Sequence, residues 1–323
     1  MRRRNFLMLA AGAGAAGVLS PSVLRAQAAW PEKPVKLIVP FAAGGGTDLV
    51  ARPWADKLTQ AFGQQFVVEN RGGASGMIGT EAAAKAAPDG YTFLLSSNTT
   101  PVNLPLLRKV PYDPNALHPV ARVGDTVTGF VTNPASGLKS FKEMLDYAKK
   151  NPGKLAFGSS GPGTLPHLRM EMLVYRTGIN LLHVPYRGGA DALTDLLAGN
   201  VQLMNEPACN PHAKASKLVM LTMNHTVRSP EFPDVPTLTE LGYPNSDVPL
   251  WFSIWAPAGV PPPILEKLHA KVTEISKTAD MIAKLQIAGA AAVTSTQAEL
   301  IAFREKESNA MAQLIKTANI KLE

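Results

Sequence analysis

The chain has 323 residues, a net charge of +7 and one cysteine, Cys209. A lone cysteine excludes an intramolecular disulfide, and a small, scattered charge lacks the clustered basic face that nucleic acid requires. The length exceeds what one compact core usually holds, which predicts two lobes.

The first elements in chain order concern export. Arg2-Arg3-Arg4 precedes Asn5-Phe6-Leu7, an uncharged Ala/Gly-rich stretch runs to Leu24, and Ala26-Gln27-Ala28 offers a small-x-small cleavage site. Arg3-Arg4-Asn5-Phe6-Leu7 fits the twin-arginine pattern, although a general secretory signal can carry the same arginines. Residues 1–28 are therefore read as a signal peptide cleaved near Ala28, sending the protein to the periplasm. The apolar stretch is too short and glycine-rich for a membrane span. Its removal takes four arginines and no acid, leaving 295 residues at +3.

Short apolar runs then alternate with amphipathic stretches, which predicts α/β architecture with mainly parallel sheets. Val35–Val39 is the first strand. A helix follows from Asp48, with Val50, Trp54 and Leu58 on one face. Residues 66–68 read as a strand, 78–87 as a helix and 91–95 as a strand after the Pro88-Asp89-Gly90 turn. Ser140-Phe141-Lys142-Glu143 has capping-box spacing and opens a helix to about Lys150. Strands at 155–157, 181–184, 201–204 and 218–221 alternate with helices at 165–176, stopped by Gly178, and 190–197. Residues 251–255 form an apolar strand. Two late helices follow, one around 265–275 and one opened by the Thr296-Gln297-Ala298-Glu299 capping box towards Thr317, with no strand between them. The expected lobes are 29–128 with 250–323, and 129–249.

Two strand–glycine–helix junctions stand out. One is Val39-Pro40-Phe41-Ala42-Ala43-Gly44-Gly45-Gly46-Thr47-Asp48; the other is Phe157-Gly158-Ser159-Ser160-Gly161-Pro162-Gly163-Thr164. Helix N-termini carry unpaired N–H groups and partial positive charge, so two facing each other would hold one small anion. The first junction has no lysine beside its glycines, and Leu49 stands where a dinucleotide fingerprint needs glycine. Thr47 or Asp48 is expected to cap the helix. Gly158-Ser159-Ser160-Gly161 is one residue short of a nucleophile elbow, although Ser159 or Ser160 could still pair with a distant histidine. A third loop, His183-Val184-Pro185-Tyr186-Arg187-Gly188-Gly189, offers Tyr186 as a hydrogen-bonding group or as a packed aromatic, and Gly188 and Gly189 as exposed N–H groups at a helix start. Glu206 would recognise an amine, exclude a second carboxylate, or simply sit on the surface. Six histidines lack metal-ligand spacing, so neither a metal nor another cofactor is expected.

These motifs, in this order, resemble the extracytoplasmic solute receptors of tripartite tricarboxylate transporters, the Bug-type receptors. The resemblance spans nearly the whole mature chain. Beyond the first junction it includes Val68-Glu69-Asn70-Arg71-Gly72-Gly73-Ala74, Pro88-Asp89-Gly90-Tyr91-Thr92, Gly161-Pro162-Gly163-Thr164 with His167-Leu168, and His183-Val184-Pro185-Tyr186-Arg187-Gly188. Arg228-Ser229-Pro230 and Pro233-Asp234-Val235-Pro236-Thr237 complete it. It implies a type II periplasmic binding fold, two α/β lobes closing on one organic acid, with no catalysis. The resemblance carries the ligand-holding role onto residues 41–48 and 159–164, and with the residues read directly the expected ligand set is Phe41, Ala42, Gly44, Gly45, Gly46, Thr47, Asp48, Ser97, Ser159, Ser160, Gly161, Gly163, Thr164, Tyr186, Gly188 and Glu206. Implied partners are a small carboxylate and the membrane permease subunits, with the receptor a monomer. The family pattern has a Phe-Asp type pair at Asn205-Glu206, Thr-Pro at Val260-Pro261 and Gly at Ser253, so side-chain specificity departs from it here. The alternatives from other classes are a periplasmic sensory module feeding a receptor kinase and a serine hydrolase.

Overall fold

Four of the five residues of Val35–Val39 are buried because the strand runs between two neighbours, with Lys36 reaching out to Glu69, and it forms β1 of the first sheet. The computed structural model describes residues 30–126, 128–225, 227–244, 246 and 250–320; the signal peptide and its cleavage site lie outside them. After β1 come α1 (Gly46–Phe62), β2 (Phe66–Asn70), α2 (Met77–Ala84) and β3 (Thr92–Ser97). Two strands follow that the hydrophobic pattern did not announce, β4 (Leu117–Thr126) and β5 (Gly129–Thr132). The next block is α3 (Phe141–Lys150), β6 (Ala156–Ser159), α4 (Leu165–Thr177), β7 (Leu182–Pro185), α5 (Gly189–Ala198), β8 (Leu203–Met204) and β9 (Val219–Met223). The chain ends with β10 (Trp251–Pro257), α6 (Pro262–Ile275), α7 (Ala279–Ile287), β11 (Ala290–Ala291) and α8 (Gln297–Thr317).

Two sheets result, with strand orders β11-β4-β10-β3-β1-β2 and β7-β6-β8-β5-β9. Both are mixed rather than mainly parallel. The β1–β2, β1–β3, β6–β7 and β6–β8 pairs are parallel, as βαβ crossovers dictate. The β10 strand enters the first sheet from the second and pairs antiparallel with both β3 and β4, while β5 pairs antiparallel with β8 and β9. The end of the chain also departs from expectation. A third late helix, α7, opens where the Thr278 hydroxyl accepts from Met281 N at 3.3 Å, and the two-residue β11 pairs with β4. The capping box at α8 forms in full, with reciprocal bonds of 2.8 and 3.1 Å. At α3 the Ser140 hydroxyl accepts from Glu143 N, but the Glu143 carboxylate turns to Lys139 N instead.

Packing fixes the two helices that matter for the site. Val50, Trp54 and Leu58 of α1 are buried, and Trp54 Nε1 donates to Val123 O of β4 at 2.8 Å. The last turn of α5 is held by Asn133 Nδ2, which donates to the carbonyls of Leu196 and Leu197 at 2.7 and 2.9 Å. Ala192, Leu193 and Leu196 bury the apolar face of α5. Both sheets belong to one compact unit, Pro31–Glu323.

Candidate functional site: a cleft between helix N-termini

The first junction forms a tight loop closed by a buried acid. Asp48 Oδ2 accepts from Gly44 N at 2.9 Å and from Arg52 Nε at 2.7 Å, while its Oδ1 accepts from Asn70 Nδ2 at 2.9 Å. Asn70 also reaches Phe41 O at 3.1 Å. Asp48 thus braces the loop and turns away from the cleft. Neither Thr47 nor Asp48 is the N-cap; Gly45 is, without a side-chain cap. The open amide end of α1 points into a cleft lined by Phe41, Gly45, Gly46, Thr47, Ser97, Thr99, Ser160, Pro166, Gly189, Glu206, Pro207, Leu250 and Phe252.

The second junction behaves differently from its sequence twin. Thr164 Oγ1 donates to Gly161 O at 2.6 Å, Gly163 N donates to His167 Nδ1 at 3.1 Å, and Leu165 N donates to Thr99 Oγ1 at 3.3 Å. Pro166, next in α4, has no N–H. The loop before α4 is therefore closed upon itself, and the first amide of the helix, Leu165 N, is taken by Thr99. Of this loop's expected ligand residues, Ser160 lines the cleft; Ser159, Gly161, Gly163 and Thr164 do not. The end that faces α1 belongs to α5, capped by the backbone of Gly188 with no side-chain cap. A Cβ added to Gly45 would lie 3.8 Å from the amide nitrogens of both Gly189 and Ala190, and one added to Gly188 would lie 3.0 Å from Ala42 Cβ. Two uncapped helix N-termini, one from each sheet, therefore converge.

A carboxylate already stands beside them. Glu206, just after β8, is 5% exposed, and a Cβ on Gly189 would come 3.1 Å from its Cδ. Burial pushes its carboxyl up to about 7, against the pull of Ser160's hydroxyl and N–H and of the Arg169 charge. Glu206 Oε1 has no hydrogen-bond partner among the described residues. Arg169, fully buried on α4, donates from Nη1 to Asn205 Oδ1 at 2.8 Å. Among the described residues no lysine, arginine or histidine lines the cleft.

The cleft is shut. Ser75 Oγ donates to Pro162 O at 2.9 Å across it, and a Cβ on Gly46 would meet the Pro207 ring at 3.0 Å. The space left open to a water molecule's centre is about 20 Å³, room for one or two waters.

Several expected residues act elsewhere. Tyr186 OH donates to Asp195 Oδ2 at 2.6 Å, and its ring packs with Val184 and the α5 core, so it spans α5 rather than lining the cleft. Ser253 donates to Ala121 O within the sheet, away from the cleft. Ser159 Oγ and His183 Nε2 are 2.7 Å apart, the geometry of a serine–histidine pair. The rings of Phe157, His183 and His167 stack at 4.7 and 4.1 Å, and burial with the neighbouring His167 lowers His183 to about 4. Yet Ser159 is fully buried and turned to Gly161, walled off from the cavity. Cys209 is buried too, and burial beside Glu206 raises its thiol well above its ordinary value. Residues missed in sequence are Thr99, Pro166, Pro207, Leu250 and Phe252, none of which sits in a glycine loop. Gly189, expected with Gly188 to expose its N–H at a helix start, lines the cleft. Among the described residues there is no cluster suited to a metal and no helix long and apolar enough to cross a membrane.

Residues 50–320 match the model of the tripartite tricarboxylate transporter family receptor. BugT of Bordetella pertussis is 38% identical over 298 residues, 91% of each chain. The solved structure of the periplasmic binding protein BugD is 34% identical, superposes with a TM-score of 0.86, and is covered completely by 91% of this chain. A Rhodopseudomonas palustris protein solved with adipate is 32% identical, with a TM-score of 0.87 over 90% of this chain and 99% of its own. The α/β fold of two sheets is thus that of the periplasmic binding proteins.

Proposed function

The chain belongs to the tripartite tricarboxylate transporter receptor family, and from that premise we propose that it is a non-enzymatic periplasmic receptor for a small organic carboxylate. The observation that carries the reading is the convergence of the uncapped α1 and α5 N-termini on one cleft that, among the described residues, no cationic side chain lines. Backbone amides in such positions favour an anion by about 0.3–1 kcal/mol per helix end, and up to about 2 when water is excluded. Each hydrogen bond to the charged carboxylate adds roughly 1.5–3 kcal/mol. A micromolar constant needs about 8 kcal/mol net, which a few such contacts plus closure supply. The adipate bound to the R. palustris relative supports a carboxylate as the class.

The lobes are 29–128 with 250–323, and 129–249. They open to admit ligand, because so narrow a cleft admits no organic acid while shut. Ligand then favours the shut form by the contacts it gains there. Delivery is to the permease subunits of a tripartite tricarboxylate-type transporter, with export by the signal peptide at 1–28. A thermal-shift screen against organic acids tests the reading. A binder raises the melting midpoint with the logarithm of its concentration, and deletion of the partner permease abolishes uptake of that same acid. Silence across the screen, or turnover of ester substrates lost on Ser159→Ala, would overturn it.

A further inference from the structure

Glu206 is an odd neighbour for an anion seat. Its carboxylate abuts the first residue of α5, where a ligand carboxylate is expected, and among the described residues it is the one carboxylate that lines the cleft. One oxygen interacts with Ser160, but the buried Oε1 has no partner among the described residues. A buried acceptor left without a donor costs the full desolvation penalty of that group, so a donor from outside is strongly favoured. A ligand carrying only carboxylate at this end would bring like charges together.

Resting on the receptor reading above, we propose that Glu206 selects carboxylic acids bearing a hydrogen-bond donor, an ammonium or a hydroxyl, on the carbon next to the carboxylate. The carboxylate takes the amide ends of α1 and α5, and the donor reaches Glu206 Oε1. The two ligand groups must be adjacent because their receptors are: Oε1 lies 3.2 Å from where a Gly189 side chain would begin. Gly189 itself leaves the room, since a Cβ there would press within 3.1 Å of the Glu206 carboxyl. The groups facing Glu206 are Ser160 on the β6–α4 loop, Arg169 on α4 and the Cys209 thiol, none of which supplies a donor to Oε1. Burial raises its carboxyl to about 7, so binding is measured at pH 8, where Glu206 carries its charge.

The experiment is titration calorimetry on matched triplets: succinate, malate and aspartate; propionate, lactate and alanine; phenylpropionate, phenyllactate and phenylalanine. In every triplet that binds, the hydroxy or amino member should bind about tenfold or more tighter than the plain acid. Glu206→Gln separates the two donors, because the amide still accepts from a hydroxyl but has lost the charge that an ammonium needs. A preference for the amino member should collapse in that variant, and a preference for the hydroxy member should persist. Glu206→Ala should erase either preference while far-ultraviolet circular dichroism confirms the fold. Plain acids binding as tightly as their substituted partners, or a preference that survives Glu206→Ala, would overturn the inference and leave the receptor reading standing. Binding by no acid, here or in the wider screen, would overturn both.

Discussion

Gly46, the first residue of α1, faces Pro207 across the cleft so closely that a methyl group on it would sit 3.0 Å from the proline ring. That methyl suits the helix, where replacing Gly with Ala stabilises by about 0.4–1 kcal/mol when the backbone is compatible. It does not suit closure. Gly46→Ala should leave the melting temperature of the ligand-free protein unchanged or slightly raised, yet weaken ligand binding about tenfold or more. Calorimetry and small-angle scattering check this; unchanged affinity would mean that the two sides do not meet in the bound form.

Thr47 and Thr164 look equivalent in sequence and are not equivalent in space. Thr47 lines the cleft, whereas the Thr164 hydroxyl is spent on Gly161 O at 2.6 Å. Thr47→Val should therefore reduce affinity with little change in stability. Thr164→Val should cost about 1 kcal/mol of stability by breaking a buried hydrogen bond. Denaturant titrations read alongside ligand titrations separate the two; equal loss of affinity from both would place Thr164 at the ligand.

Thr99 ties the sheets together by accepting from Leu165 N at the start of α4, and Ser75 does so by donating to Pro162 O. Each bond stabilises the shut form by roughly 0.5–1.5 kcal/mol. Thr99→Val and Ser75→Ala should each shift the ligand-free protein towards an open form and speed ligand association. Stopped-flow association rates identical to wild type would show that these bonds do not hold the cleft shut.

Two groups, Glu206 in the cleft and the half-buried His183, oppose each other in their response to pH. Glu206 is raised from 4.5 to about 7, so the folded chain keeps a proton that the unfolded chain has lost. Its contribution is fully present below about 4.5 and is lost as pH rises through 7. His183 is lowered from 6.5 to about 4, so its contribution is present above 6.5 and lost as pH falls through 4. Each effect is worth at most roughly 3 kcal/mol. Between 4.5 and 6.5 they largely cancel. Glu206→Gln should uncover a stability that climbs with pH through that window, and His183→Gln one that declines. Urea midpoints measured from pH 4 to 8 decide it; profiles parallel to wild type would show that neither group is perturbed.

The elements that local chemistry dictates were legible in the sequence: Val50, Trp54 and Leu58 on one face of α1, the Thr296 capping box, and Gly178 ending α4 in the left-handed region. The first half of the site was legible for the same reason, because Gly44 to Gly46 can start a helix without a side-chain cap. What lay hidden depended on distant partners. The glycines, Thr164 and His167 of the second junction close upon themselves, and Thr99 covers what they leave, so the α4 end is not the one that faces α1. Leu250 and Phe252 reach the cleft only through the antiparallel insertion of β10, and Phe252 pairs in register with Ser97. No local pattern around residues 117–132 announced β4 or β5, since Pro119 and Gly124 interrupt the alternation.

A seat made of main-chain amides has one lasting property: truncating any one of the side chains around it leaves those amides in place. Mutations around it, at positions such as Thr47, Phe252 or Glu206, can alter which guest is preferred while the grip on its acidic end persists. Such a scaffold can change diet in small steps without passing through a form that holds nothing.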